Sequence, residues 1–444
     1  MALDKIIRQC DLKEIGDMKK AFRVFKKMDY TRLFLASFTS RMGSIIGMTA
    51  FSFYLLDRFS NKPFYVSLTE MMYSLPMLAV FFVVGVLADR MDRKKIAAYC
   101  EWISAVLSFA LMGMIAVGWM PLIFAILFLR SAVNKFFFPA ESGLVQGVLT
   151  EKEYTSAAGL NQMTQSLFML FGSGLGIGFY WLFGVQGAVL IDAISFIISG
   201  LLIHACKMGE DVRLPNGPHQ LKDLSVKMMI ADFKEGIIYS LKHKLLFNLM
   251  IGFFVFGAVN GALSVISVFM LKYKLAPATY ETWTIWEGIV FGSGILIGSV
   301  LASSLADKLK IYQMLYGGLF LSGLFVGAVA FSNHVITYLI LTCLTALALP
   351  AANIAIGGWL PKIVDPKMMG RVEGTISPLM MVSQTLALGF IAWTFPKYLN
   401  ISGVFLAVGA MIVGVSIFFV MVLPKLAKEH EEKETAQEVV DVSV

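Results

Sequence analysis

Long apolar runs, one after another, decide what this chain can fold into. A predominantly apolar stretch of about 20 residues, wound as α-helix at about 1.5 Å per residue, matches the roughly 30 Å hydrocarbon layer of a bilayer. Twelve such runs are read along the sequence: 32–56, 65–88, 96–118, 121–147, 157–183, 185–206, 245–271, 282–306, 311–331, 335–360, 372–396 and 401–423. The chain is 57% hydrophobic and 15% charged, with a mean hydropathy of +0.74, which excludes an ordinary soluble domain.

The net charge of +7 reads as a membrane signal, and no nucleic-acid partner is expected. Of the 37 Lys and Arg, four fall inside runs (Arg32, Arg41, Arg130, Lys135) and five on odd-numbered loops (Arg58, Lys62, Lys272, Lys274, Lys397). The other 28 lie on the two ends and the even-numbered loops. Basic residues accumulate on the cytoplasmic side, so both termini are expected in the cytoplasm of a multi-pass cell-membrane protein, with the lipid bilayer as its surroundings. Residues 1–29 have no apolar core ending at a small-residue site, so the first run is expected to act as its own insertion signal. Cys10, Cys100, Cys206 and Cys343 form no C-x-x-C pair and imply neither disulfides nor a metal site.

Six runs, a polar stretch and six more predict an all-α membrane protein: twelve transmembrane helices in two six-helix halves. The expected segments are an amphipathic head at 1–29, a first half at 30–206, a central loop at 207–244, a second half at 245–423 and a tail at 424–444. In the central loop, Val226, Met229, Ile230, Phe233, Ile237, Ile238 and Leu241 recur at helical spacing, predicting an amphipathic helix on the inner membrane surface. An internal repeat agrees with two halves. A shift of 211 aligns Pro139-Ala140 with Pro350-Ala351 and Gly147 with Gly358, and a shift of 218 aligns Leu87-Ala88-Asp89-Arg90 with Leu305-Ala306-Asp307-Lys308. Parallel halves of this kind place a substrate site between them near the midplane.

Between the second and third runs stands Gly85-Val-Leu-Ala-Asp89-Arg90-Met-Asp92-Arg93-Lys94-Lys95. This short charged turn makes its flanking runs an antiparallel hairpin. The pattern G-x-L-x-D-R-x-x-R-K-K resembles the signature loop of the major facilitator superfamily. Phe128-Leu-Arg130, Phe138-Pro139-Ala140, Leu149-Thr150-Glu151 and Gly159-Leu-Asn161-Gln162 are similar to its macrolide-efflux and enterobactin-exporter-like branch. The resemblance implies the major facilitator fold and secondary transport. It also implies a cytoplasmic latch formed by Gly85, Asp89, Arg90 and Arg93, with Asp307 a degenerate counterpart. The alternative for these residues is plain topology, a basic inner loop beside an incidental aspartate. This chain departs from the family at Asp92, where a glycine is usual, and at Gly43-Ser44, where Gly-Asp is frequent. Gly172, Gly174, Gly176 and Gly178 resemble the family's glycine-rich fifth span without its proline, and close helix packing accounts for them equally well.

Ionisable residues inside a membrane are costly and therefore candidates for function. Arg41 and Arg130 each lie nine residues into their runs, about 13 Å deep. Arg130 resembles the family's span 4 arginine, which implies a cavity-lining or substrate-contacting role for it and for Arg41. Glu70, Asp192 and Glu287 sit roughly 8 Å below the outer surface. Buried carboxylates opposite buried arginines can form a proton relay; the same residues can equally be static pairs that pin helices together.

No G-x-x-x-x-G-K-[ST] occurs, and the five histidines form no H-E-x-x-H or Cys/His cluster. Neither ATP, a metal, another cofactor nor enzymatic catalysis is expected. The expected function is a monomeric secondary transporter that exports small lipophilic or amphiphilic compounds, multidrug or macrolide in type, by proton antiport with alternating access. Lysophospholipid flipping, uncoupled facilitation and a non-transporting membrane sensor stay open as alternatives.

Overall fold

The computed structural model describes residues 22–214, 226–306, 308–364 and 368–442. Most of the amphipathic head, part of the central loop and Asp307 lie outside the described residues. The chain divides into two compact units, Met1–Tyr54 with Ala79–Leu224, and Leu55–Leu78 with Ser225–Val444.

The first unit contains α1 (Met28–Arg58) as far as Tyr54, the later part of α2 (Phe64–Arg90), α3 (Arg93–Val117), α4 (Met120–Val148), α5 (Glu151–His204) and the single turn α6 (Glu210–Arg213). Local chemistry sets these boundaries. Asp92 caps α3 by accepting the Lys95 N–H at 3.1 Å, and Gly118 ends it in the left-handed region (φ 78°). Pro121 stands in the first turn of α4, where its missing N–H costs nothing. At the start of α5, Glu153 reaches back to the Thr150 N–H at 2.8 Å, closing a capping box. Within α5 the helix breaks at Gly184 (φ 66°, ψ −176°), between the runs read as separate spans. A residue with a β-carbon rarely adopts that conformation.

The core of this unit joins Leu33 and Ala36 of α1, Ala97 and Cys100 of α3, Phe137, Ala140 and Leu144 of α4, and Ile203 of α5. Gly172 and Gly176 of the glycine stripe pack directly on Ile45 and Thr49 of α1, the close approach that small residues permit.

The second unit comprises the end of α1, the start of α2, α7 (Val226–Lys242), α8 (Lys244–Met270), α9 (Tyr280–Ala306), α10 (Ile311–Val329), α11 (Val335–Ile363), α12 (Met369–Thr394) and α13 (Ile401–Val442). Here α8 packs on α12 and α13, α10 on α11 and α13, α9 on α11, and α7 on α12 and α8. Among the described residues, nine helical stretches are long and apolar enough to cross a membrane. One of them, Leu160–His204, runs through the break at Gly184.

Two expectations follow. A β-carbon on Gly257 of α8 would lie 2.2 Å from the Met380 carbonyl oxygen of α12, an atom that cannot rotate away, whereas one on Gly113 of α3 meets nothing within 4 Å. Gly257→Ala should destabilise by about 1–3 kcal/mol, and Gly113→Ala should be neutral or stabilise by up to about 1 kcal/mol. Unfolding midpoints in detergent compare the two. The second expectation concerns Glu153, which also accepts from the Lys27 ammonium (2.6 Å); Lys27 and the Thr150 donors hold its carboxyl at about 2. A depressed folded value means that this contact is intact above the unfolded value of about 4.3 and is lost as pH falls from there towards 2. Hydrogen exchange at 22–27 should accelerate over that window, and Glu153→Gln should abolish the pH dependence.

Candidate functional site

Inside the first unit, α1, α3, α4 and α5 enclose a polar cluster. The Arg130 guanidinium pairs with the Asp192 carboxylate, both buried, and donates to Ser108 Oγ at 3.0 Å. Ser108 in turn donates to Asp192 at 3.3 Å. The guanidinium lies 5.8 Å from the Phe196 ring centre, so an aromatic face covers part of the cation. Glu101 of α3, 1% exposed, accepts from Ser40 of α1 at 3.0 Å and lies within electrostatic reach of Asp192. Ser44 stands beside Asp192, and Gly43 lets α1 approach the backbone of α5 there. The carboxylate missing from position 44 is thus supplied against that position by Asp192.

A cavity of about 310 Å³ opens in the same unit, between α1, α4 and α5. Tyr30, Phe34 and Phe38 recur every four residues and form a ladder of rings down one face of α1, with centroids 6.2 and 6.4 Å apart. Phe138 of α4 closes the opposite side. Arg41 ends the ladder: it donates to Asn161 Oδ1 at 3.3 Å and lies 5.4 Å from the Phe138 ring centre. Glu141 lines the cavity within electrostatic reach of Arg41. The space is therefore aromatic along its walls, with one cation and one carboxylate at fixed points.

The other sequence candidates lie elsewhere. Glu70 is half-buried on α2, and Glu287 of α9 accepts from the buried Tyr338 hydroxyl at 2.5 Å rather than from an arginine. Arg93 donates to the Gly143 carbonyl of α4 at 3.3 Å. The side chains of Gly85, Asp89 and Arg90 lie outside the described side chains. The loop's other contacts are with helix ends. Lys94 donates to the His204 and Cys206 carbonyls (2.9 and 2.8 Å), and Arg32 donates to the Ala205 carbonyl (2.9 Å), so cations meet the negative end of α5. Asp92 pairs with Arg213 of α6; burial raises its carboxyl, but Arg213 and the Lys95 N–H outweigh this and hold it below the usual range.

Three of these residues escape the sequence reading. Glu101 and Glu141 lie inside apolar runs and meet the same criterion that singles out Glu70, so the signal is present in the sequence. Asp57 is the third: it lies just beyond the first run, in the second unit, where it accepts from Lys272 at 3.0 Å and from the Tyr280 hydroxyl at 2.6 Å. Nothing in its local sequence marks it.

Comparison with known proteins supplies further findings. The sequence pattern of the Major Facilitator Superfamily matches residues 33–315. The Uncharacterized MFS-type transporter YkuC of Bacillus subtilis (strain 168) is 47% identical over 410 residues, covering 92% of this chain and 95% of that one. Macrolide efflux protein A of Streptococcus pyogenes is 23% identical over 406 residues, covering 89% and 96%. Among solved structures, a POT family transporter in complex with a thioalcohol-conjugated peptide superposes with a TM-score of 0.71 at 13% identity, covering 89% of this chain and 96% of its own. The nucleoside transporter NupG gives a TM-score of 0.64 at 13% identity, covering 88% and 98%. These two likenesses concern the fold.

The buried pair sets a testable expectation. Removing one partner strands a charge, so Arg130→Met or Asp192→Leu alone should cost about 3–5 kcal/mol. The double variant strands none and should recover most of that loss. Unfolding midpoints and yields of folded protein in detergent measure the cycle; additive losses would show that the two side chains act independently.

Proposed function

The chain belongs to the major facilitator superfamily, and from that premise we propose that it is a proton-coupled exporter of small lipophilic or amphiphilic compounds. In this reading twelve spans form two six-helix halves, with both termini cytoplasmic and alternating access to a central site. The weak similarity to Macrolide efflux protein A points towards lipophilic cargo.

The observation that carries the reading is the aromatic cavity ending at Arg41 and Glu141. Stacked ring faces accept varied apolar bodies, and a small number of polar groups orient them, as expected of a ligand pocket of this size. The planar guanidinium of Arg41 suits an anionic or carbonyl-bearing end, and Glu141 suits a cationic one. The arginine at the end of an aromatic channel also favours a second reading, flipping of lysophospholipids, whose phosphate would take the Arg41 position.

Coupling is assigned to the neighbouring cluster. Arg130 pairs with Asp192, and a second buried carboxylate, Glu101, lies within electrostatic reach of Asp192. A buried unpaired carboxylate is costly, so the second negative charge needs a counter-ion, and a proton fits that space. Glu101 thereby joins Glu70, Asp192 and Glu287 as a proton carrier. The latch formed by Gly85, Asp89, Arg90, Arg93 and Asp307 keeps its proposed role of holding the cytoplasmic side closed.

Proteoliposomes with an imposed pH gradient, screened over dyes, macrolides and lysolipids, test this function. Glu101→Gln should abolish gradient-driven accumulation while substrate counterflow persists. Arg41→Ala should raise the half-saturating concentration at least tenfold, with Arg41→Lys intermediate because a lysine lacks the planar fork. Accumulation by Glu101→Gln at the wild-type rate would remove Glu101 from the coupling path. Absence of transport for every class would sink the exporter reading.

A further inference from the structure

A second cavity, of about 500 Å³, lies in the second unit among α7, α8 and α12. Its walls are apolar except for Thr375. From α7 come Phe233, Ile237 and Leu241, at spacings of four, and from α8 come Phe247, Ile251 and Phe254, at spacings of four and three. The α12 wall carries Pro378 in the helix interior. Leu241, Phe247, Ile251 and Phe254 are all substantially exposed, so protein leaves this groove open along its length.

Each apolar stripe ends in a cation. Lys244 precedes Phe247 by three residues and so heads the α8 stripe, while Lys234 and Lys242 flank the α7 stripe, each one residue after a lining position. All three are exposed, and none forms an ion pair among the described residues. Asp232 and Glu235 are the acidic neighbours in the sequence of α7. An apolar slot between membrane helices, rimmed by lysines on the side assigned to the cytoplasm, has the chemistry of an anionic lipid: an alkyl chain in the slot and a phosphate against the ammonium groups.

We propose that the α7–α8–α12 groove binds one acyl chain of an anionic phospholipid of the inner leaflet, with its headgroup held by Lys234, Lys242 and Lys244. The lipid then seals α7 to the membrane-crossing helices and completes a surface that the protein leaves unfilled. The proposal rests on the topology adopted above for the sidedness of the lysines but not on transport, and its readout is binding.

The test uses the full chain, purified in detergent, exchanged with phosphatidylglycerol or phosphatidylcholine of identical acyl chains, washed, and analysed by native mass spectrometry. A lysine close to an anionic lipid is worth about fivefold in binding, so three should give phosphatidylglycerol at least a tenfold excess over phosphatidylcholine. Leu379→Trp, which fills the slot, should reduce both lipids to background. The combined Lys234→Gln, Lys242→Gln, Lys244→Gln variant should retain both lipids equally. Thermal unfolding checks that the variants are folded, and Val382→Trp replaces Leu379→Trp if the latter is not. Equal retention of the two lipids by wild type, or full retention of phosphatidylglycerol by a folded slot-filled variant, would overturn the proposal. Preference for palmitate over phosphatidylglycerol would also overturn it, by assigning the slot to a free fatty acid.

Discussion

Hydrocarbon offers no hydrogen-bond partner to a peptide group, and the rest of this structure depends on that constraint. Every apolar run must satisfy its backbone internally, which leaves helix as the local solution. The same constraint governs helix ends and charges. At the terminus of α5, Lys94 and Arg32 take up the His204, Ala205 and Cys206 carbonyls, and Asp92 takes up an exposed N–H of α3. Deep in the first unit, Arg130 and Asp192 satisfy one another, with Ser108 bridging them.

Helical geometry then distributes two tasks over α1. Ser37 and Arg41, four residues apart, face the aromatic cavity. Ser40 and Ser44, also four apart, face Glu101 and Asp192. The aromatic cavity and the charged cluster therefore lie against different faces of a single helix, and α4 contributes to both, with Arg130 in the cluster and Phe138 and Glu141 at the cavity. Glu141 of the cavity lies within electrostatic reach of Glu101 in the cluster, so the two regions are linked by charge as well as by the helices they share.

The sequence makes most of the elements legible, because length and hydropathy carry the membrane's demand in the order of residues. The hairpin around 85–95 and the division between the runs at 157–183 and 185–206 are readable in this way, the latter falling on Gly184. Pairings are harder to read. Asp192 stands in sequence as a lone carboxylate in an apolar run, yet Arg130 lies 62 residues away in the chain and directly against it. Proximity between helices depends on rotation about each axis, which depends in turn on small residues such as Gly43 and on packing from several helices at once. Asp92 shows another limit: in sequence it is only a departure from the family's usual glycine, whereas in the fold it caps α3 and holds Arg213 of α6. Glu101 and Glu141 were within reach of the intramembrane-charge rule, and their partners were not.

The 62-residue separation of Arg130 and Asp192 also has a meaning in time. A ribosome adding about 5–20 residues per second leaves an interval of roughly 3–12 s between the two. Throughout that interval the nascent α4 carries a cation for which the acidic partner does not yet exist, while the insertion machinery must decide whether to release the helix into lipid. Retention of α4 at the insertion site until the second part of α5 emerges would spare the arginine any exposure to hydrocarbon. Biogenesis of this protein is thereby tied to the order of synthesis, and a ribosomal pause between the two positions would lengthen the one stage at which Arg130 stands without Asp192.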